Sequence, residues 1–399
     1  MSAIEPQRRA PPSTGELGLV LTGGGARGAY QVGVLRWIAR RFPGLRIPIL
    51  TGVSAGAVNV VKIAAHHGTF PQAVDELSAL WQELTPDDIF RVGAGTLGFS
   101  AVRWGLRLIS GGIVRPPELR AFLDTGPLRS FLQEALVEVD GTIPGIEYNL
   151  ERGVLRACAI IATSYTTGQT VAFVEGRNVT PWKRPQRRTA LTNLSVDHVM
   201  ASSALPIFFP AIRVGDQWYG DGGIRLVAPL SPALHLGADR VLAISTRYHR
   251  SQAESDTPMI AGYPPPAQVL GLLMNAVFLD LVDQDVLRLE RLNELLETLP
   301  PEERGGLRPI ALFVVRPSRD LGRLAAEFEP QLPHAFRFMT RGLGTQETRS
   351  PDILSMLMFQ HDYLSRLMEI GEADAEKRAD QLVEFLTPSV DATTQEKEA

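Results

Sequence analysis

Hydrophobic and polar positions change their period several times along the chain, and each change marks an element. Leu17–Leu21 is a short, nearly unbroken apolar run, as in a strand buried on both faces. A glycine-rich turn follows, Thr22-Gly-Gly-Gly-Ala-Arg-Gly28. Ala29–Arg41 then repeats apolar residues at helical spacing, with Val32, Leu35, Ile38 and Ala39 on one face. The same unit recurs. Ile47–Leu50 is short and apolar, Thr51-Gly-Val-Ser-Ala-Gly56 is a tight turn, and Ala57–His66 reads as a helix. Strands alternating with helices predict an α/β fold whose largely parallel sheet is covered on both faces.

Residues 70–140 predict broken helix without a clear strand. Within them, Phe99–Val114 mixes Trp, Leu and Ile with arginines, which suits either a packed helical subdomain or an apolar cover that touches lipid. Strand patterning returns at Val154–Thr163 and Gln169–Val174, a hairpin about Thr166-Thr-Gly168, and again at Asp239–Thr246 and Pro309–Val315. Pro265–Leu299 predicts one long amphipathic helix or two, and Pro351–Leu386 predicts further helix.

Composition narrows the class. Of 399 residues, 44% are hydrophobic and 21% charged, enough apolar material for a large core, which excludes disorder of the whole chain. Forty Lys and Arg against 44 Asp and Glu leave no basic excess, so no nucleic-acid partner is expected. The single cysteine, Cys158, excludes an intramolecular disulfide or a cysteine metal cluster, and it reads as a small buried hydrophobe in a strand. Residues 1–16 lack the apolar run of a secretory signal, and no run is long enough to span a membrane. A cytoplasmic protein is the expectation, with peripheral contact at the inner membrane surface left open.

Two glycine turns carry the candidate chemistry. Gly52-Val-Ser54-Ala-Gly56 fits Gly-x-Ser-x-Gly between a strand and a helix, where small neighbours let the backbone fold sharply and expose the Ser54 hydroxyl. Gly23, Gly25 and Gly28 match the G-x-G-x-x-G dinucleotide fingerprint. That fingerprint needs an acid about 20 residues on, to hold a ribose. None occurs from Leu17 through Val74. The glycines better suit an oxyanion hole of backbone N–H groups. Residues 1–74 hold eight Lys and Arg against two acids. Among these, Arg27 could anchor a phosphate or carboxylate ligand, or pair with a carboxylate elsewhere in the chain. The seven histidines lie in no sharp hydrolase motif, and Asp221 of Trp218-Tyr-Gly-Asp-Gly-Gly-Ile224 is the stronger candidate base. A nucleotide-binding module and a non-catalytic scaffold are the rival classes.

Four ordered segments, LVLTGGGARGAYQVGVL, GVSAGAVN, ASSALPIFFPAI and WYGDGGI, make the sequence resemble a patatin-like phospholipase, of the bacterial group similar to neuropathy-target-esterase catalytic domains. The resemblance covers roughly Leu17–Asp239. LFVVRPSRDLG and SMLMFQHDYLSRLMEIGEADA are similar to C-terminal regions of longer bacterial members. Thr22 departs from plant patatins, which carry Asp before the glycines. The resemblance implies a three-layer α/β/α fold with a mostly parallel sheet and added C-terminal helices. By this reading residues 17–245 form the catalytic domain, with 70–140 as an insertion or cover. Residues 246–387 are an extension packed on it, and 1–16 and 388–399 are flexible. It implies a serine–aspartate dyad with Ser54 as nucleophile and Asp221 as base. Gly23, Gly24, Gly25, Arg27 and Gly28 would form the oxyanion hole, Gly52 and Gly56 the elbow, and Gly222 and Gly223 the turn after the base. The implied substrate is a phospholipid or lysophospholipid, cleaved without metal or cofactor. The oligomeric state is left open.

Overall fold

The computed structural model describes residues 15–91, 121, 123–258, 260, 262–278, 281–332, 334–342, 345–347 and 351–387. The Phe99–Val114 stretch and nearly all of the terminal segments expected to be flexible, 1–16 and 388–399, lie outside them.

A ten-stranded mixed sheet runs through the middle. Its main path pairs β10 (Ala311–Val315), β9 (Arg240–Ile244), β1 (Leu17–Leu21), β2 (Ile49–Val53), β3 (Ala157–Ser164), β4 (Thr170–Gly176), β6 (Arg187–Leu191) and β5 (Lys183–Arg184) in that order. From β10 through β3 every pairing is parallel. The β3–β4 hairpin turns where expected, with Thr163 opposite Thr170 and Gly168 at φ +69°. Two further strands, β7 (Ile212–Val214) and β8 (Gln217–Asp221), form a hairpin whose second strand pairs antiparallel to β3.

Alternation along β1 explains the layers. Leu17, Leu19 and Leu21 belong to the hydrophobic core on one side of the sheet, and Val20 to a smaller core on the other. The larger core is covered by α1 (Gly28–Arg41), α2 (Ala55–Ala65) and α3 (Phe70–Glu83), and the smaller one includes residues of the helices Ser231–His235 and Leu281–Glu297. This is the three-layer arrangement expected for a parallel sheet.

Helix α1 is buried over most of its circumference, because a second helix, His361–Lys377, crosses its outer face. Glycines make the crossing close. A Cβ on Gly33 would lie 2.0 Å from the Met368 carbonyl oxygen, and one on Gly371 would lie 2.2 Å from that of Tyr30. At the rim Arg36 and Arg40 both reach Glu372, at 2.8 and 2.7 Å. These two arginines thus take their counter-charge from a residue more than 300 positions away.

The helical pattern at Pro265–Leu299 resolves into two helices, Pro266–Phe278 and Leu281–Glu297, and that at Pro351–Leu386 into three. Both helices after the glycine turns start earlier than the apolar periodicity suggests, at Gly28 and Ala55, because the turn glycines enter the first helical turn. Strands β5 to β8 carry no clear apolar alternation and were not anticipated. β5 and β6 are rich in Arg and Lys because they form the sheet edge, where one side faces solvent.

Candidate active site

Ser54 sits where β2 becomes α2, with φ +56° and ψ −128°, a region that side chains rarely occupy. Two glycines permit the turn. A Cβ on Gly56 would come 2.3 Å from the Leu21 carbonyl oxygen, and one on Gly52 would come 2.4 Å from that of Gly56. A strut holds the elbow from below. The Ser54 N–H donates to Ser202 Oγ at 2.9 Å, and that hydroxyl donates to the Ile161 carbonyl at 2.7 Å. Ser202 is fully buried at the end of the helix Val196–Ser202.

Sheet register brings Asp221 to the serine. Along β3, Ile161 pairs with Val53, the last residue of β2, while the next residue, Ala162, pairs with Asp221, the last residue of β8. β8 therefore takes up β3 at the point where β2 turns away at Ser54. The N–H of Asp221 is held by the Ala204 carbonyl at 3.0 Å. Its carboxyl is completely buried. Oδ1 accepts the Gly223 N–H at 2.8 Å, whereas Oδ2 meets no donor at hydrogen-bond geometry. Burial pushes this carboxyl up to about 7, against the smaller opposing influence of the Ser54 hydroxyl and the Gly223 amide. The hydroxyl is thus close enough to favour the carboxylate without being aligned as a bond, as is common before a substrate arrives. The Asp-Gly-Gly turn is tight as well, since a Cβ on Gly222 would lie 2.1 Å from the Ile161 carbonyl oxygen.

The glycine loop lies directly beside the elbow. A Cβ on Gly23 would stand 3.0 Å from Ser54 Cβ. Gly24 and Gly25 adopt φ +146° and +57°, and a Cβ on Gly25 would strike the Met356 carbonyl oxygen at 2.1 Å. Among the described residues, the N–H groups of Gly23 and Gly24 donate to no protein acceptor. Arg27 and Gly28 differ from the expectation. The Arg27 amide donates to the Gly24 carbonyl at 3.2 Å, and the Gly28 amide to the carbonyls of Gly25 and Ala26. Both amides are consumed by the short 3-10 turn that the loop makes. The Arg27 side chain is buried and binds Asp352, with its Nε donating to Ser355 Oγ at 2.7 Å. Of its two possible roles it adopts the intramolecular pair.

Behind the loop is a buried polar chain that sequence reading missed. Gln31 Nε2 donates to the Thr22 carbonyl at 2.8 Å, Asn59 Nδ2 donates to Gln31 Oε1 at 3.0 Å, and the Trp81 indole donates to Asn59 Oδ1 at 2.7 Å. Thr246 Oγ1 donates to the Gly23 carbonyl at 2.6 Å. Gln31 and Asn59 were visible as polar interruptions of apolar helix faces; Ser202 was visible only as one of two adjacent serines before an apolar turn.

Ser54 opens into a largely apolar cavity. Its wall includes Val58, Leu80, Leu128, Phe131, Leu205 and Phe359. Its polar side chains among the described residues are Ser54, Ser203 and Trp81. Among the described residues no histidine lines it. The described histidine side chains have local roles elsewhere: His198 caps its own helix through Ser195 at 2.7 Å, and His235 stacks on Trp182. Cys158 is buried, which pushes its thiol up and leaves it inert. Among the described residues no three His, Cys, Asp or Glu side chains cluster as a metal ion would require, and no helix is long and apolar enough to cross a membrane.

The sequence model of the patatin-like phospholipases matches residues 19–234, more than half of the chain. The chain belongs to the patatin-like phospholipase family. That match spans the glycine loop, the elbow and the Asp-Gly-Gly turn of this family member. No curated protein matches it in sequence. Solved structures that align with the chain include VipD from Legionella pneumophila, at 12% identity and a TM-score of 0.37 over 95% of this chain and 72% of that one. Human GIVD cytosolic phospholipase A2 aligns at 12% identity and a TM-score of 0.44, over 94% of this chain and 60% of that one. ExoU–SpcU from Pseudomonas aeruginosa aligns at 14% identity and a TM-score of 0.29, over 94% and 77%. This patatin-like chain therefore spans about 60% of the human enzyme's length.

Proposed function

We propose that the protein is a serine lipid acyl hydrolase that cleaves fatty-acyl esters of phospholipids or lysophospholipids through a Ser54–Asp221 dyad. Ser54 Oγ attacks the ester carbonyl carbon while its proton passes to Asp221 Oδ2. The carbonyl oxygen becomes an oxyanion facing the free amides of the Gly23–Gly25 loop. Collapse breaks the ester bond, the departing alcohol takes the proton from Asp221, and the acyl group stays on Ser54. Water then attacks the acyl-enzyme, giving its proton to Asp221; the fatty acid leaves and Ser54 regains its proton. Each step uses groups of this chain. The acyl chain occupies the apolar cavity, where each buried methylene contributes about 0.8 kcal/mol.

One observation carries this reading: a buried carboxyl with an unpartnered oxygen and a pKa of about 7 stands beside a strained serine that opens on an apolar cavity. An ordinary carboxyl, at 3.8, would be a poor base for an alcohol, and burial corrects the mismatch. The test is labelling by a fluorophosphonate probe together with fatty-acid release from a mixed phospholipid panel. Wild-type protein is expected to label at Ser54 and to release fatty acid. Ser54→Ala is expected to do neither, with a rate loss of about a millionfold. Activity of a few per cent in the clean variant would overturn the assignment.

A further inference from the structure

The turn that ends the helix Val196–Ser202 holds both members of the dyad by their backbones. Ser202 Oγ accepts the Ser54 amide at 2.9 Å, and the Ala204 carbonyl accepts the Asp221 amide at 3.0 Å. Ser203 stands between these two contacts. Its own backbone is fixed. The amide donates to the carbonyls of Val199 and Met200, at 3.0 and 3.2 Å, and the carbonyl accepts the Leu205 amide at 2.9 Å. Its side chain is not fixed in this way. The Ser203 hydroxyl is buried and, among the described residues, has no hydrogen-bond partner, although the residue lines the same cavity as Ser54.

A buried hydroxyl without a partner costs stability, and an alanine here would avoid that cost. Nor does the hydroxyl serve its helix, because it bonds none of the carbonyls of the last turn. The other polar side chains of the described wall are occupied: Ser54 is the nucleophile, and the Trp81 indole donates to Asn59 Oδ1 at 2.7 Å. Asp221 Oδ2, which returns a proton to the departing oxygen and takes one from water, is unpartnered like Ser203 Oγ. Two unused polar groups thus belong to residues that one short turn holds beside the nucleophile.

We propose that the Ser203 hydroxyl holds the oxygen that is exchanged at the acyl carbon, first that of the leaving alcohol and then that of the attacking water. This rests on the Ser54–Asp221 reading. A hydroxyl suits both roles, since it is donor and acceptor. In acylation Ser203 O–H donates to the oxygen whose bond to the acyl carbon breaks, and that oxygen takes the proton from Asp221. In deacylation one O–H of the water points to Ser203 Oγ. The other gives its proton to Asp221 as the water oxygen bonds to the acyl carbon and the bond to Ser54 breaks. Ser203 keeps its own proton throughout. Two acceptors orient the water, so that its lone pair meets the carbon; Asp221 alone leaves it free to turn.

The test uses a p-nitrophenyl alkanoate, whose leaving group departs with little assistance. At saturating ester in steady state, the ratio of acylated to unacylated enzyme equals the ratio of the acylation and deacylation rates, and intact mass spectrometry of acid-quenched protein reads it. Ser203→Ala is expected to slow deacylation about ten-fold, the effect of one hydrogen bond to the reacting oxygen, and acylation by much less, so the ratio rises about five-fold or more. Fatty-acid release from a phospholipid, whose leaving alcohol needs the proton, should fall at least about ten-fold. The melting temperature should hold or rise, because an unpartnered hydroxyl is removed. Ser203→Thr keeps the hydroxyl and should keep the ratio within about two-fold of wild type.

An unchanged ratio in Ser203→Ala would overturn the proposal. Equal slowing of both steps, or a lower melting temperature in both variants, would make Ser203 a packing residue and overturn it as well. Wild-type protein that neither acylates at Ser54 nor releases fatty acid would count against the dyad itself, a result distinct from an active wild type matched by its Ser203→Ala variant.

Discussion

Asp221→Asn separates the chemistry of the site from its stability. The amide keeps the size of the side chain and can still accept the Gly223 N–H, but it cannot carry charge or take a proton from Ser54. In the folded protein burial raises the carboxyl from 3.8 to about 7, while in the unfolded chain it titrates at its ordinary value. The native state therefore holds the proton more tightly. Stability from this group is fully present below about pH 4 and is lost as the pH rises through about 7. At about 1.4 kcal/mol per pH unit, the loss reaches about 4 kcal/mol on the alkaline side. The Asn variant escapes it. The expected outcome is an inactive protein that is more stable than wild type by up to about 4 kcal/mol near pH 8, with the advantage vanishing below about pH 4. Guanidinium unfolding followed by tryptophan fluorescence across this range measures the difference. An Asn variant no more stable than wild type near pH 8 would refute the view that the site holds a destabilised carboxylate. Activity has the opposite dependence: the base must be ionised, so wild-type kcat/KM for a soluble ester should rise with pH through about 7.

Two other changes test the supports of the site. Ser202→Ala removes the acceptor of the Ser54 N–H; it should lower kcat about 100-fold with a much smaller change in KM, because a misplaced nucleophile impairs the reaction more than binding. Steady-state kinetics on a soluble ester decide it, and an unchanged kcat would remove the strut from the account. Arg27→Met removes a buried cation together with its ion pair to Asp352 and its bond to Ser355 Oγ; it should destabilise the fold by on the order of 2 kcal/mol, read by thermal or denaturant melting, while the folded fraction still labels with fluorophosphonate.

The two strand–turn–helix units were legible because local pattern determines them. Leu17–Leu21 is apolar throughout apart from Gly18, the glycines mark the turns, and the following helices have a clear apolar period. Ser54 and Asp221 were legible as motifs, but their adjacency was not. It depends on β3 exchanging one partner for another between Ile161 and Ala162, a register decision made across more than a hundred residues. Strands β5 and β6 were illegible because edge strands need no apolar alternation. Arg27 could not be resolved from sequence, since its partner Asp352 lies 325 positions away. The short 3-10 turn that engages the amides of Arg27 and Gly28 likewise leaves no mark on composition.

The origin of the site's components bears on how the protein is made. The strand before the glycine loop, β1, is flanked by β9 from residues 240–244. The loop is fixed through Thr246 and fitted against Met356, while α1 beneath it is covered by the helix His361–Lys377 and charge-matched by Glu372. A ribosome delivers the nucleophile first and these braces last. Until residues 356–377 emerge, the nascent chain presents an uncovered, cationic α1 and a glycine loop without Met356 against it. The glycine loop and α1 therefore reach their final surroundings only after residues 356–377 have been made, long after Ser54.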